Sequence, residues 1–466
     1  MNDVSKYSIR QLAEGFSTGT LNPVDIIEQT LEHMDEINPA INAIAWCNPD
    51  SAIQAARESA RRWEAGTALG PLDGIPVTVK DAIDLKGTQS TFGSALYSDV
   101  PVADKDSPPA ARLRQAGAVI FAKTTAPDSG MAITGLSSLY GVVRNPWDLQ
   151  SSPGGSSAGA GAALAAGIGS AAVGTDLAGS VRIPAARCGL VALKPTQGRV
   201  PHTPPNTVRS PGAMGRSVAD VAALHTVIGR PDRTDTFSLP EETGIYPGPL
   251  TRLAGLRVGV LSDLGCGNPA EAAVLEPVNR AAEVLDSYGA SITVVPTLFE
   301  EDPLAGLERT FQIRLCAELE AFGGARDSMI LPELAEWAAG AKKLSATDSY
   351  RAHSDVMRAQ MKVQQALDAY DFVIAPVVPD ARLAAEERIN PAHPFINAGY
   401  TAWFNQTGQP AASVCFGMTD GLPVGIQIIG RRFDDWRVLA LAGLLEQERD
   451  FDLEWPVQTR THLTIR

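Results

Sequence analysis

Histidine is scarce in this sequence, and its cysteines lack the spacing of a metal or redox site. The 466 residues include six histidines, and none belongs to an HExxH or HxH pattern that suits a bound metal. The five cysteines form no CxxC pair, and their odd number does not indicate a disulfide framework. We therefore predict buried free thiols and chemistry that needs neither a metal nor another cofactor.

Long apolar runs and excess positive charge are absent too. No run approaches the roughly 18 apolar residues that a membrane span needs, and residues 1–6 lack the basic and apolar regions of a secretory signal. The net charge of −14 argues against a nucleic-acid surface, because that affinity depends on Lys and Arg. We expect a soluble, cytoplasmic protein without membrane or nucleic-acid partners, although a partner protein would be able to supply positive charge.

Helical and strand patterns alternate along the chain, which indicates an α/β fold. Asn22 followed by Pro23 is typical of a helix start. Further helices are predicted at 51–63, at 107–117 and from 268, and strands at 75–80, 118–123, 256–261, 292–295, 372–375, 412–416 and 424–429. Since no linker divides the chain, we predict one large domain over 1–466 with a central, mixed, twisted β-sheet flanked by helices on both faces. The helical pattern of 300–365 predicts a cap or one wall of a cleft.

Small residues dominate the segment from Gly154 to Ser180, where 21 of 27 residues are Gly, Ala or Ser. Glycine permits positive φ and leaves backbone N–H groups uncovered, which suits a loop whose amides point at a substrate atom. We interpret residues 174–180 as such a loop, with Ser180 as a candidate nucleophile.

A serine nucleophile needs a neighbouring base. Among the histidines only His202 is near this segment in sequence, and a Ser-Lys pair is a known alternative to Ser-His-Asp. Lys80 ends an apolar strand, where burial disfavours the ammonium form. Lys80 is therefore a candidate base, and the competing interpretation pairs it with Asp81 or Asp84 as a solvated charge.

Several motifs together resemble the amidase signature family. They are PLDGIPVTVKD at 71–81, KTT at 123–125, RNPW at 144–147, GGSSAG at 154–159, GTDLAGSVRIPA at 174–185, CG at 188–189, LKPT at 193–196 and GLPVGIQ at 421–427. The resemblance covers most of the chain and is least diagnostic over 230–395. It implies a single amidase domain of α/β fold, with the catalytic residues in a signature core at 65–230.

The resemblance assigns a proton relay to three residues. It implies that Lys80 is the base, that Ser156 is the bridging serine and that Ser180 is the serine that becomes acylated. The separation of the two serines in sequence matches the family's spacing. The resemblance also implies a cis peptide bond before Ser156.

The family's oxyanion hole is implied for a loop next to the nucleophile. Its donors would be the backbone amides of Leu177, Ala178, Gly179 and Ser180. Asp176 and Arg182 are expected to brace this loop rather than react. Two alanines depart from the usual glycines of the family: Ala158, and Ala178, whose methyl group would narrow the acyl side of the pocket.

Substrate contacts are expected from four residues, Gly130, Met131, Trp403 and Phe404. Aromatic walls, to which Phe395 and Tyr400 would also belong, suit an aryl or medium aliphatic group. The alternative is that these aromatics are ordinary core residues. Nothing near the motifs demands a charged substrate.

The expected function is hydrolysis of the carbon–nitrogen bond in a small to medium linear amide, and the expected substrate is an uncharged small molecule. An A-type subunit of a tRNA-dependent amidotransferase, which hydrolyses glutamine, is the first alternative. A GxSxG elbow with Ser157 as nucleophile is another, but the residues before it make a poor strand. A non-catalytic binding protein on the same scaffold is the third. A homodimer is a reasonable expectation for such an enzyme.

Overall fold

The computed structural model describes residues 7–242, 244–323 and 326–456, so residues 1–6, 243, 324–325 and 457–466 of the predicted domain lie outside the described part. Thirteen α-helices are present in that part. They are α1 (Ile9–Thr18), α2 (Pro23–Ile41), α3 (Pro49–Glu64), α4 (Pro108–Gln115), α5 (Ala158–Ala165), α6 (Arg182–Cys188), α7 (Val218–Ile228), α8 (Ala272–Ser287), α9 (Leu304–Ala321), α10 (Pro332–Ala339), α11 (Ala346–Leu367), α12 (Ala402–Gln406) and α13 (Asp435–Gln447).

Eleven of the thirteen strands form one sheet, in the order β1-β3-β2-β6-β8-β7-β12-β13-β11-β9-β10, and β4 pairs only with β5. The strands are β1 (Ile44–Cys47), β2 (Pro76–Lys80), β3 (Val119–Thr124), β4 (Leu136–Ser137), β5 (Gly141–Val142), β6 (Ala171–Asp176), β7 (Val191–Lys194), β8 (Ser210–Gly215), β9 (Arg257–Val260), β10 (Ser291–Val294), β11 (Phe372–Pro376), β12 (Ala411–Thr419) and β13 (Leu422–Gly430). Strand β2 runs parallel to β3 and β6, whereas β6 and β8 are antiparallel. The sheet is therefore mixed, as predicted.

Helices cover both faces of this sheet. Side chains alternate between the faces of a strand. On β6, Ala171 and Val173 belong to the buried cluster that also contains residues of α1, α4, α7, α8 and α13, whereas Ala172 belongs to the cluster that contains residues of α5 and α6. Strand β11 divides in the same way, because Ile374 belongs to the first of these clusters and Val373 to the cluster that contains residues of α9 to α12. One domain with a two-sided core confirms the predicted α/β architecture.

The predicted elements are largely where the sequence placed them. Asn22 accepts a hydrogen bond from the Val24 N–H at 2.8 Å, and Pro23 is the first residue of α2. All seven predicted strands occur, with ends shifted by a few residues. The helix expected from Asn268 begins instead at Ala272. The remaining six strands, β1 and β4 to β8, have no counterpart among the sequence predictions.

The interpretation of 174–180 as a loop is wrong for its first three residues. Gly174 to Asp176 end β6, in the middle of the sheet. A side chain on Gly174 would contact the Ser157 and Val181 side chains within 3 Å. Gly174 therefore allows close packing on a strand, and the loop begins only at Leu177.

The segment 300–365 contains α9, α10, most of α11 and short 3₁₀ turns, without a strand in its described residues. This agrees with the helical pattern of the sequence, and the cap or cleft wall stays a proposal. No helix in the described ranges combines the length and the apolar character needed to cross a membrane.

Candidate active site

The site lies where two neighbouring parallel strands end. β2 pairs with β6 in the register Val79 to Val173, so the carboxyl ends of both strands meet at one edge of the sheet. Lys80 is the last residue of β2, and Asp176 is the last residue of β6. Residues at such an edge face the usual ligand crevice of an α/β sheet.

Lys80 is buried and its ammonium group faces hydroxyl groups. Its Nζ lies 2.7 Å from Ser156 Oγ and 3.3 Å from Thr175 Oγ1. Asp81 and Asp84 are the proposed partners in the competing interpretation, but Asp81 pairs with Lys123 at 3.2 Å and Asp84 accepts from the Ser90 hydroxyl at 2.7 Å. The structure thus brings the predicted base and bridging serine together and does not support a solvated charge at Lys80.

Burial lowers the pKa of Lys80 to about 7, and the positive charge of Arg209 acts in the same direction. The carboxylates of Asp176 and Asp81 oppose that shift. Since neither carboxylate is hydrogen-bonded to Nζ, desolvation dominates. A large fraction of Lys80 is consequently a neutral amine near pH 7.

The two serines are joined through the backbone. The Ser157 N–H donates to the Ser180 carbonyl oxygen at 3.0 Å, which holds the Ser156–Ser157 segment against the residue predicted to be the nucleophile. The Gly155–Ser156 peptide bond is cis, as the sequence resemblance implied. Both Ser156 and Ser180 are buried.

Ser157 does not have the surroundings of a nucleophile elbow. Its side chain is fully buried, and its hydroxyl lies 3.4 Å from the Thr175 carbonyl oxygen. No strand among the described residues runs into it, since only isolated bridges at Asn145 and Ser151 precede it. The structure therefore favours Ser180 over Ser157.

Residues 177–180, called the oxyanion loop below, are clamped from two sides. Thr401 Oγ1 donates to the Ala178 carbonyl oxygen at 2.6 Å, and the Gly179 N–H of the same peptide unit donates to Asp176 Oδ1 at 2.7 Å. Gly179 has a φ of +114°, and a side chain there would collide with Thr401. The Gly179 amide is thus already engaged, which leaves Leu177, Ala178 and Ser180 as donors with no acceptor among the described residues.

Asp176 and Arg182 form a buried ion pair behind this loop. Arg182 donates to both Asp176 oxygens at 2.9 and 3.0 Å, and also to Gln427 and Asn405. Burial alone would raise the pKa of the Asp176 carboxyl, but the charge and hydrogen bonds of Arg182 hold it well below its usual range. The Asp176 carboxylate therefore stays charged, and its hydrogen bonds with Arg182 and the Gly179 amide fix the loop, which supports the predicted bracing role.

Comparison with known proteins places the chain in a family. A sequence model of the family described as Amidase matches residues 25–439. The chain belongs to the amidase signature family. The A-type subunit of the glutamyl-tRNA(Gln) amidotransferase of Symbiobacterium thermophilum is 33% identical, covering 93% of this chain and 95% of that one. An acylamidase of Rhodococcus erythropolis is 32% identical, with 95% of each chain covered. The crystal structure of a bacterial aryl acylamidase superposes with a TM-score of 0.88 at 26% identity, with 96% of each chain covered.

The residues predicted to contact substrate in this amidase divide into two groups. Gly130, with a φ of +63°, lies at the site, because a Cβ there would be 3.5 Å from Ser156 Oγ. Trp403 and Phe404 are completely buried, and the Trp403 indole N–H donates to Cys266 Sγ at 3.1 Å. The alternative of ordinary core aromatics is therefore favoured for these two rings.

Met131 and Ala178 belong to the same buried apolar cluster as those rings. Met131 follows Gly130, and Ala178 is two residues before Ser180, so a substrate-lining role for them stays a prediction. Ala178 does not have a positive φ, so the departure from glycine is compatible with the loop.

Several residues that shape the amidase site were not predicted from the sequence. Thr175, Thr401 and Asn405 supply the hydrogen bonds to Lys80, Ala178 and Asp176, and Gln427 contacts Arg182 although it falls in a quoted motif. Arg209, which acts on Lys80 through its charge, lies outside every motif. Thr175 and Gln427 were within reach of the motif analysis, whereas the others carried no local signal.

Proposed function

We propose that the protein hydrolyses the carbonyl–nitrogen bond of a small to medium linear amide through an acyl-enzyme on Ser180. The observation that carries the proposal is the buried contact of 2.7 Å between Lys80 Nζ and Ser156 Oγ, next to a segment hydrogen-bonded to Ser180. The acylamidase relatives support an aryl or aliphatic amide as the substrate class.

The first chemical step uses Lys80 in its neutral form. As Ser180 Oγ attacks the carbonyl carbon, its proton passes to Ser156 Oγ, and the proton of Ser156 passes to Lys80 Nζ. A new C–O bond forms, and the carbonyl oxygen becomes an oxyanion. The Leu177, Ala178 and Ser180 amides are the donors proposed to stabilise that oxyanion, and each useful donor contributes roughly 3 kcal/mol in the transition state.

Collapse of this intermediate breaks the C–N bond. The proton on Lys80 returns through Ser156 to the leaving nitrogen, so the amine departs neutral. Water then attacks the acyl ester with the same relay as base, which gives the carboxylic acid and restores Ser180. Ser156 and Lys80 therefore act twice in each turnover.

Covalent labelling tests the assignment of the nucleophile. A fluorophosphonate probe should label the wild-type protein and Ser157→Ala, and peptide mapping should place the label on Ser180. Ser180→Ala should take up no label and release no 4-nitroaniline from acyl 4-nitroanilides. Labelling that survives in Ser180→Ala would overturn the proposal.

The second candidate function is that of a glutamine-hydrolysing component of a larger assembly. It is considered because one relative, 33% identical to this chain, is an amidotransferase subunit. The residues at 125–131 and 400–405 do not look typical of that subunit. The purified chain should hydrolyse simple anilides and leave glutamine intact. Glutamine turnover without anilide turnover would favour the second candidate.

A further inference from the structure

A cavity of about 240 Å³ is lined by residues that neighbour the proposed catalytic site, although Lys80, Ser156 and Ser180 are not among them. On one side it is lined by Ser129, which adjoins Gly130 and therefore Ser156. On the other side it is lined by Arg209. Because β8 pairs Ser210 with Asp176, Arg209 lies at the level where the oxyanion loop begins. The cavity is thus placed to hold a part of the substrate whose carbonyl group lies at Ser180.

Arg209 is a half-buried cation without a carboxylate partner. It forms no ion pair with any residue that the structure describes, and its Nη1 lies 3.5 Å from His202 Nε2. Burial, together with the charge of Arg209, lowers the pKa of His202 to about 3, so that ring is neutral and is able to accept this hydrogen bond. Burial and Arg314 lower the pKa of Arg209 only to about 10, so the guanidinium remains charged at neutral pH.

The loop that carries Arg209 is held in place by side-chain hydrogen bonds. Asn206 Oδ1 accepts from the Arg209 N–H at 2.8 Å, and Gln197 Nε2 donates to the Arg209 carbonyl oxygen at 3.2 Å. The guanidinium therefore projects from a fixed backbone, and little loop ordering is needed when a ligand binds.

The charged residues that line the cavity are Arg209, Arg314 and Glu318, so the formal net charge of its lining is +1. Glu318 Oε1 accepts from Arg314 Nε at 2.7 Å, and its Oε2 accepts from the Tyr97 hydroxyl at 3.0 Å. Both carboxylate oxygens of Glu318 are thus engaged away from Arg209. An anion that entered the cavity would meet a guanidinium that has no carboxylate of the described residues within ion-pair distance and whose charge Glu318 offsets only from farther away.

We propose that Arg209 selects amides that carry a carboxylate, which it binds in this cavity while the scissile carbonyl lies at Ser180. The planar guanidinium presents two parallel N–H groups that match a carboxylate. This inference rests on the proposed function and gives it a substrate class. It replaces the expectation of an uncharged substrate. That expectation rested only on residues near the motifs, and Arg209 lies outside them.

Matched substrate pairs test the selection. On the acyl side, succinyl 4-nitroanilide is compared with 4-methylpentanoyl 4-nitroanilide, whose isopropyl group has the shape of a carboxylate. On the leaving-group side, N-acetyl-4-aminobenzoate is compared with N-acetyl-4-isopropylaniline. At least one pair should show a preference of tenfold or more in kcat/KM for the carboxylate.

For each variant of Arg209, the measured quantity is the ratio of kcat/KM between the two substrates of a pair, at one pH. A change in the Lys80 pKa affects both substrates equally and therefore does not change this ratio. Arg209→Gln should abolish the preference, mainly through KM, and Arg209→Lys should retain part of it. Arg351→Gln is the matched control, since Arg351 is exposed on α11 and pairs with Asp348. It should keep the wild-type ratio.

Absence of a preference in the wild-type protein, or its persistence in Arg209→Gln, would overturn the inference. Turnover of neutral amides with labelling at Ser180 would leave the proposed function intact in that case. Calorimetric binding of the carboxylated anilides to Ser180→Ala, with and without Arg209→Gln, tests the inference without any turnover. Equal affinity of the two proteins would contradict it.

Discussion

The rate of acylation should depend on the fraction of Lys80 that is neutral. Only the neutral amine is able to take the proton of Ser156, from which Nζ is 2.7 Å away. Below the pKa of Lys80 the neutral fraction falls tenfold for each pH unit. We therefore expect kcat/KM for an uncharged anilide to rise with a slope of one up to about pH 7 and to be constant above it.

The size of the effect follows from the burial of Lys80. A pKa of about 7 instead of 10.5 corresponds to about 5 kcal/mol of differential stabilisation. At pH 7 about half of the amine is then neutral, against roughly one molecule in 3,000 for an unperturbed lysine. Burial thus makes the base available at a pH where a solvent-exposed lysine would be almost wholly protonated.

The assay is kcat/KM for 4-methylpentanoyl 4-nitroanilide between pH 5.5 and 9, with wild-type protein, Lys80→Met and Lys194→Met. Lys80→Met should lower the plateau of kcat/KM above pH 7 roughly 10²–10⁴-fold, the usual contribution of a general base. It should also remove the rising limb of the pH profile, which is the increase in kcat/KM up to about pH 7. Lys194 is the matched control because it is also buried with a pKa lowered to about 7, yet its ammonium group donates to the Pro195 carbonyl oxygen. Lys194→Met should keep the limb.

Two results with the variants, and one with the wild-type protein, would refute this reasoning. One is an unchanged limb in Lys80→Met, and the other is loss of the limb in Lys194→Met alone. A limb near pH 10 in the wild-type protein would show that burial does not lower the pKa of Lys80. Thermal melting of each variant ensures that only folded proteins are compared.

Two further substitutions test the support of the oxyanion loop. Thr401→Val removes the donor to the Ala178 carbonyl oxygen, so kcat should fall roughly tenfold or more with little change in KM, because the loop is then free to turn its amides away; an unchanged kcat would rule out this clamp. Arg182→Met leaves the Asp176 carboxylate buried and unpaired, which should cost about 3–5 kcal/mol of unfolding free energy in urea titrations. Adding Asp176→Asn should recover part of that loss, and no recovery would contradict the ion-pair explanation.

The sequence was most informative where structure is local. The alternating strand up to Lys80 placed this residue at a strand end, and the motif spacing selected Ser156 and Ser180 from a segment full of serines. Both inferences depend on neighbours in sequence or on a family pattern that is rare by chance. The contact between Lys80 and Ser156 bears out their predicted proximity, whereas their roles as base and bridging serine stay proposals.

The rest required the three-dimensional arrangement. Composition favoured a loop at Gly174, because glycine and alanine are poor strand formers, but a central strand packed closely against Ser157 requires small residues. Trp403 was expected beside the substrate, yet its indole finds an acceptor in Cys266, 137 residues away in sequence. Contacts of that kind leave no periodic or local signal.

At the same sheet edge, burial favours the neutral form of Lys80, whereas Asp176 stays charged. The difference lies in the hydrogen-bond partners of the two groups. Asp176 accepts hydrogen bonds from the Arg182 guanidinium and from backbone amides, which stabilise its carboxylate despite burial. Within the described part of the chain, Lys80 donates to hydroxyls, which stabilise an ammonium group far less than a carboxylate would. Asp81, the carboxylate next in sequence, is held by Lys123 at 3.2 Å. We infer that Lys123 contributes to the proposed catalysis indirectly, because its ion pair with Asp81 weakens the effect by which that carboxylate favours the protonated form of Lys80.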